Sequence, residues 1–148
     1  MSDAPPGLGD WTGYLLYKSA WWLQREHEAA LRELGLRERH MQALIMLSAD
    51  EGLSQQDLAR HLHLDPTLVV ALIDDLEEQG LCERVRHSED RRRHLIQLTA
   101  RGKKTFREAR ALSVKVGDQI FAPLDRAERA QLTAMLKRIM APLWSRPK

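Results

Sequence analysis

At 148 residues, 43% hydrophobic and 30% charged, the chain is long enough for one buried core and has the balance of an ordinary globular domain. No apolar run reaches a membrane-spanning length, and the N-terminus MSDAPPGLGD carries no basic-then-apolar signal, which points to the cytoplasm and away from the membrane. The single cysteine, Cys82, excludes an intrachain disulfide framework and a Cys-rich zinc site, and a net charge of +2 does not by itself call for a polyanionic partner.

Residues 1–9 read as a mobile Pro/Gly-rich tail. Asp10 is expected to cap a first helix running to about Leu34, with Gly35 as its stop. Leu16, Ala20, Leu23, His27, Leu31 and Leu34 form one apolar stripe on it. Tyr14, Tyr17, Trp21 and Arg25 form a second, with Lys18 beside it. Five of the eight aromatic residues lie between Trp11 and Trp22, which makes this helix more apolar than a small lobe needs. A second helix, about 37–49, carries Met41, Leu44, Ile45 and Leu47, and Asp50-Glu51-Gly52 breaks it.

Ser54, three residues before Asp57, starts a third helix with Leu58, Ala59 and Leu62 at helical spacing. Asp65-Pro66 starts a fourth, since aspartate caps and proline fits the first helical position, which needs no N–H. Val69, Leu72, Ile73 and Leu76 are its buried stripe, and Gly80 ends it. Beyond it, Cys82, Val85, Leu95, Ile96 and Leu98 flank a polar loop, His87 to Arg93, as two strands would. Thr99 caps a fifth helix to about Phe121, with Phe106, Ala109, Leu112, Val116 and Ile120 on one side. Pro123 breaks it, and Asp125 with Glu128 opens a last helix bearing Leu132, Met135, Leu136, Ile139 and Leu143. The expected fold is mainly α with a small β-hairpin wing: a winged helix-turn-helix flanked by further helices. Such a unit sits on duplex DNA.

The charge distribution agrees. Between Glu83 and Arg107 nine Lys or Arg residues face three acids, so this segment is strongly basic while the rest of the chain is acidic. No Gly-rich phosphate loop, nucleophile elbow or paired-carboxylate motif is present, so no enzyme is expected. The six histidines are scattered, and His61-x-His63 crosses a helix end, a poor ligand pair, so no metal and no cofactor are expected. Cys82 sits at an apolar position and reads as a packing residue.

One pattern carries a family resemblance: Leu76-Glu77, Gly80-Leu81, seven residues, Asp90-Arg91-Arg92, six residues, Thr99, two residues, Gly102. The chain resembles the multiple-antibiotic-resistance regulator (MarR) family of bacterial transcription factors. The likeness extends to Gly35-Leu36 and to APLDRAERAQLTAML near the C-terminus. It implies a homodimer held by segments 10–35 and 103–148, with a DNA-binding lobe over 37–99 and a pseudo-palindromic operator. It further implies a repressor released by a small aromatic anion lodged near helices one and two, where Trp21, Trp22, Arg25, His40 and Met41 fall. Aromatic surface beside cations suits a planar acid such as salicylate.

On this reading residues 66–79 are the recognition helix, and its outward face holds Thr67, Leu68, Val70, Ala71 and Asp74. Ala71 stands where many relatives have an arginine. Residues 65–80 contain five acids and no base, so bidentate Arg-to-guanine readout is absent and Pro66, Thr67, Val70 and Ala71 meet the groove through apolar contact, thymine methyls included. Ser54, Gln55, Gln56, Arg60, His61, Arg84 and Arg86 are candidates for phosphate. Arg91, Arg92 and Arg93 are expected to reach a minor groove, with Asp90 holding one of them. The rival reading is a winged helix that docks proteins rather than DNA.

Overall fold

The computed structural model describes residues 7–50, 52–86 and 94–144. Helices α1 (Thr12–Arg32), α2 (Glu38–Ala49), α3 (Gln55–Leu62) and α4 (Pro66–Glu78) lead into strands β1 (Cys82–Arg86) and β2 (His94–Leu98), followed by α5 (Ala100–Ile120) and α6 (Arg126–Trp144). The strands pair antiparallel, from Cys82 opposite Leu98 to Arg86 opposite His94. Leu53 extends this ribbon through one bond, Ile96 N–H to the Leu53 carbonyl at 2.8 Å.

Three helices stop by the same device. After α1, Gly35 adopts φ +69°, and Leu36 N–H returns to the Leu31 carbonyl at 3.0 Å. After α4, Gly80 does the same at φ +69°, with Leu81 N–H on the Leu76 carbonyl at 2.8 Å. Each is a Schellman end, and in each the leucine past the turn and the one it bonds to are buried together, Leu36 with Leu31 and Leu81 with Leu76. After α3 a histidine occupies the left-handed position: His63 has φ 52°, and Leu64 N–H bonds the Ala59 carbonyl at 3.0 Å. This turn sets α3 against α4.

Helix starts follow the side chains with one exception. Ser54 and Asp57 form a reciprocal box: Asp57 N–H donates to Ser54 Oγ at 3.2 Å and Ser54 N–H to Asp57 Oδ2 at 2.9 Å. Asp65 Oδ1 accepts from Thr67 N–H at 2.8 Å, with Pro66 at the first helical position. Asp125 and Glu128 repeat the box at α6 with bonds of 2.9 and 2.8 Å. The exception is Asp10. The N-cap of α1 is Trp11, with no side-chain bond, because residues 7–10 form a turn closed by Trp11 N–H on the Leu8 carbonyl. Residues 1–6 of the expected tail lie outside the described residues.

The core lies between α2, α3, α4 and the base of the hairpin, with Leu31 from α1 and Ala109 from α5 closing one side. Val69, Leu72, Ile73 and Leu76 are all buried, as the spacing predicts. Ile45 departs from expectation and is 40% exposed. Cys82 is buried, its thiol 3.8 Å from the Ile73 carbonyl. Burial, reinforced by the charge of Glu77, pushes that thiol up to about 12. A thiolate is the reactive species, so a maleimide is expected to label Cys82 only as fast as the domain unfolds. Labelling of the native protein at the rate of a free thiol would contradict this placement.

The joint between α4, the hairpin and α5 is the tightest point in the fold. Thr99 Oγ1 accepts from Gly102 N–H at 2.9 Å and donates to the Gly80 carbonyl at 2.7 Å. Thr99 N–H bonds the Leu81 carbonyl at 3.1 Å. Gly102 packs so closely that a Cβ there would lie 1.8 Å from the Leu81 carbonyl oxygen. The Thr-x-x-Gly spacing is thus a helix cap and a backbone contact in one unit.

Helices α1 and α5 pack on each other, and His27 ties them to the lobe. Its ring bonds Glu38 of α2 at 2.8 Å and Ser113 of α5 at 2.6 Å. The N-terminal half of α1 and all of α6 are left open. Trp11, Tyr17, Trp21 and Trp22 are exposed, as are Met135 and Ile139, and none of the described side chains of α6 is buried. Arg129 fixes the corner where α6 leaves α5: its Nε donates to the Phe121 and Leu124 carbonyls at 3.0 and 3.1 Å, and Nη1 reaches Asp118 at 2.9 Å.

Candidate nucleic-acid interface

Helix α4 is buried along one side only. Thr67, Leu68, Val70, Ala71 and Asp74 are exposed, and Leu68 and Val70 are 46% and 43% accessible. Pro66, Thr67, Val70 and Ala71 therefore stand together on the outward, N-terminal part of the helix, where a recognition helix meets base edges. Four acids of this segment are engaged, and Glu78 at its C-terminal end is exposed. Asp65 caps the N-terminus. Asp75 accepts from Gln79 at 3.1 Å and bonds His40 at 2.9 Å. Asp74 and Glu77 both hold Arg84 of β1: its Nη2 reaches Asp74 at 2.6 Å, its Nη1 bonds Glu77, and its backbone N–H donates to Glu77 at 2.8 Å.

The sequence places Arg84 at a phosphate. Its guanidinium is instead turned onto α4, where it pairs with Asp74 and Glu77. Sequence spacing does not reveal this, because the partners lie 7 and 10 residues apart across a turn. The one signal for it is compositional: acids on a helix whose neighbouring strand carries alternating arginines.

The other expected phosphate contacts divide. Arg86 is exposed at the end of β1. Gln56 is exposed at the start of α3, and Gln55 is half-buried, its amide nitrogen without an acceptor among the described residues. Arg60 is exposed and paired to Asp57 on its own helix, a surface pair weak enough to exchange for a phosphate. Ser54 Oγ both accepts from Asp57 N–H and donates to its carboxylate at 2.6 Å, so it serves the helix rather than a ligand. These bonds hold the Asp57 carboxyl below its ordinary range, first through the Ser54 hydroxyl and then its N–H. Asp90, Arg91, Arg92 and Arg93 lie outside the described residues.

This architecture has close counterparts. The MarR family model matches residues 36–94. The repressor Rv2887 of Mycobacterium tuberculosis is 32% identical over 127 residues, covering 86% of this chain and 91% of that protein. The chain belongs to the MarR family. Solved structures of Rv2887 superpose on it, one in complex with DNA (TM-score 0.76, 31% identity, 93% of this chain and 98% of that one). Another holds salicylic acid (TM-score 0.72, 32% identity, 93% and 98%). CouR from Rhodococcus jostii RHA1, bound to p-coumaroyl-CoA, also superposes, with TM-score 0.74 and 30% identity over 91% of this chain and 95% of that one.

A cleft lies between α1, α2 and α4. It encloses about 550 Å³ and is lined by Gln24 and Glu28 of α1, Arg39 and His40 of α2 with Arg37 before it, and Leu68 and Ala71 of α4, among others. Of the five residues expected at a ligand, only His40 borders it. His40 is buried and doubly bonded: Nδ1 accepts from Arg37 N–H at 3.2 Å, so Nε2 carries the hydrogen that meets Asp75 at 2.9 Å. A ring so fixed joins α2 to α4. Met41 is 4% exposed and belongs to the core. Trp21 and Trp22 are exposed on α1. The Trp21 ring has Lys18 Nζ at 4.7 Å and Arg25 Cζ at 5.8 Å from its centre, so these cations already occupy its face. Among the described residues no helix is long and apolar enough to cross a membrane.

Proposed function

We propose that the chain is a homodimeric cytoplasmic repressor that binds a pseudo-palindromic duplex operator and is released by a small aromatic anion. The observation that carries it is α4: a capped helix whose N-terminal half projects from the fold and whose Asp74, Asp75 and Glu77 are bound by neighbouring side chains. The DNA complex of Rv2887 supports the same use of the same fold. The exposed apolar surface of α1 and α6 is what a second copy covers, and two copies bring two reading heads into successive major grooves about 34–36 Å apart. An enzyme role has no support, since the relatives are transcriptional regulators.

Release follows from the cleft. Its walls belong to the dimer frame (α1), the connecting helix (α2) and the recognition helix (α4), so a ligand seated there bears on the angle between frame and reading head. A planar acid meets Arg37 and Arg39 inside the cleft. Favouring the wrong angle by ~1.4 kcal/mol is enough for a tenfold loss of DNA affinity.

The test is titration of duplex recovered from fragmented genomic DNA, at several salt concentrations, with and without salicylate. Expected are a dimer bound per site, affinity falling steeply with salt, and a weakening by salicylate of about tenfold or more that Arg37→Ala or Arg39→Ala blunts. His40→Ala is not a clean probe, because it also unhooks Asp75. Absence of duplex binding at low salt would overturn the reading, and binding indifferent to a panel of aromatic acids would remove the effector.

A further inference from the structure

The outward face of α4 has a chemistry unusual for a helix that reads bases. It presents the methyl groups of Thr67, Leu68, Val70 and Ala71, with Leu68 and Val70 each more than two-fifths exposed. The only side-chain nitrogen between Asp65 and Gly80 is that of Gln79, at the C-cap and bonded to Asp75. Of the exposed carboxylates within α4, Asp74 is held by Arg84, and Glu78 lies at the C-terminal end of the helix, away from its N-terminal half. Such a surface has no guanidinium or amide with which to form a bidentate bond to guanine or adenine. What the major groove offers an apolar surface is the 5-methyl group of thymine.

We propose that α4 reads its half-site through thymine 5-methyl groups, packed against Leu68 and Val70 with Thr67 and Ala71 beside them, and that the operator is A·T-rich where α4 enters. This deepens the proposed function and rests on duplex binding. Three features of the fold serve it. Pro66 and the Asp65 cap fix the first turn, so Thr67 and Val70 enter the groove on a rigid element. The Schellman end at Gly80 and the Arg84 clamp hold the other end of the helix to the hairpin. Val69, Leu72 and Ile73 anchor its inner face in the core, so the exposed apolar groups cannot turn inward to escape water. Without a partner they remain hydrated; against thymine methyls they are covered.

The experiment selects duplexes bound by the full chain from a random-sequence library. It then replaces the thymines of each recovered half-site by deoxyuridine, which removes only the methyl group and leaves the pairing edges intact. The expected result is A·T-rich half-sites whose affinity falls about fourfold for each thymine methyl removed from the α4 face, from the hydrophobic contribution of one buried methyl. Both side chains being exposed, the Leu68→Ala/Val70→Ala variant should keep the wild-type circular dichroism and bind thymine and uracil duplexes alike. Wild-type protein that binds both duplexes equally would overturn the proposal while leaving DNA binding intact, as would a double variant that still discriminates. Recovery of no duplex at all would overturn it together with the proposed function, leaving the apolar face to a protein partner.

Discussion

Gly102→Ala is expected to destabilise the domain by about 3 kcal/mol or more, at the upper end of overpacking effects, because the added methyl meets a backbone carbonyl and not a movable side chain. The new Cβ would stand 1.8 Å from the Leu81 oxygen. Leu81 cannot retreat: its N–H is held by the Leu76 carbonyl, its own carbonyl accepts from Thr99 N–H, and its side chain is buried. Relief requires α5 to move off the hairpin. Urea unfolding of Gly102→Ala beside wild type measures the loss as a drop in midpoint at constant slope. Thr99→Ala is the graded comparison, since it removes the cap and the bond to Gly80 without a clash, and a loss of about 1–2 kcal/mol is expected. Equal stability of Gly102→Ala and wild type would show that the α4–α5 joint is looser than its geometry.

The second large effect is on DNA. Replacing Arg91 and Arg92 together by alanine is expected to weaken duplex binding by about 30-fold or more, at roughly 1–3 kcal/mol for each arginine, with little change in thermal stability. The reason is one of supply. Helix α4 offers no cation and Arg84 is bound to Asp74 and Glu77, so the expectation is that Arg86 and the arginines of segment 91–93 carry most of the positive charge for DNA, with Arg60 contributing where it exchanges Asp57 for a phosphate. The antiparallel register places Arg86 opposite His94, at the opposite end of the hairpin from Cys82 and Leu98. Fluorescence anisotropy across a salt series separates two modes of binding. An arginine that neutralises a phosphate lowers the salt slope by about one when removed, and an arginine that reads a base leaves the slope as it was. Unchanged affinity in the double variant would remove this segment from the interface.

Much of the fold is legible from the residues alone, where the cause is local. Ser54-x-x-Asp57, Asp65-Pro66, Gly35, Gly80 and Asp125-x-x-Glu128 act within a few residues of themselves, so the chain carries those boundaries wherever it goes. The buried stripe of α4 follows from helical period, and the hairpin from two short apolar runs around a polar loop. The Asp10 cap fails for a local reason too: a turn over residues 7–10 passes the capping role to Trp11, which has no side-chain oxygen to offer.

The tertiary structure decided which polar groups are free. Arg84, His40 and His27 each read as surface or ligand-facing, or as part of an apolar stripe, and each is bound to a partner on another element: Asp74 and Glu77, Asp75, and Glu38 with Ser113. Met41 passes from a candidate ligand contact to the core in the same way. Arg129, which pins the α5–α6 corner through carbonyls of the preceding turn, offers no motif to notice. A charge or a ring bears no mark of its partner in the sequence, because the pairing depends on how helices cross, and that is set by the sum of many apolar contacts. Local chemistry determined the elements of this regulator. Packing between them determined which of its charges remain free to meet DNA.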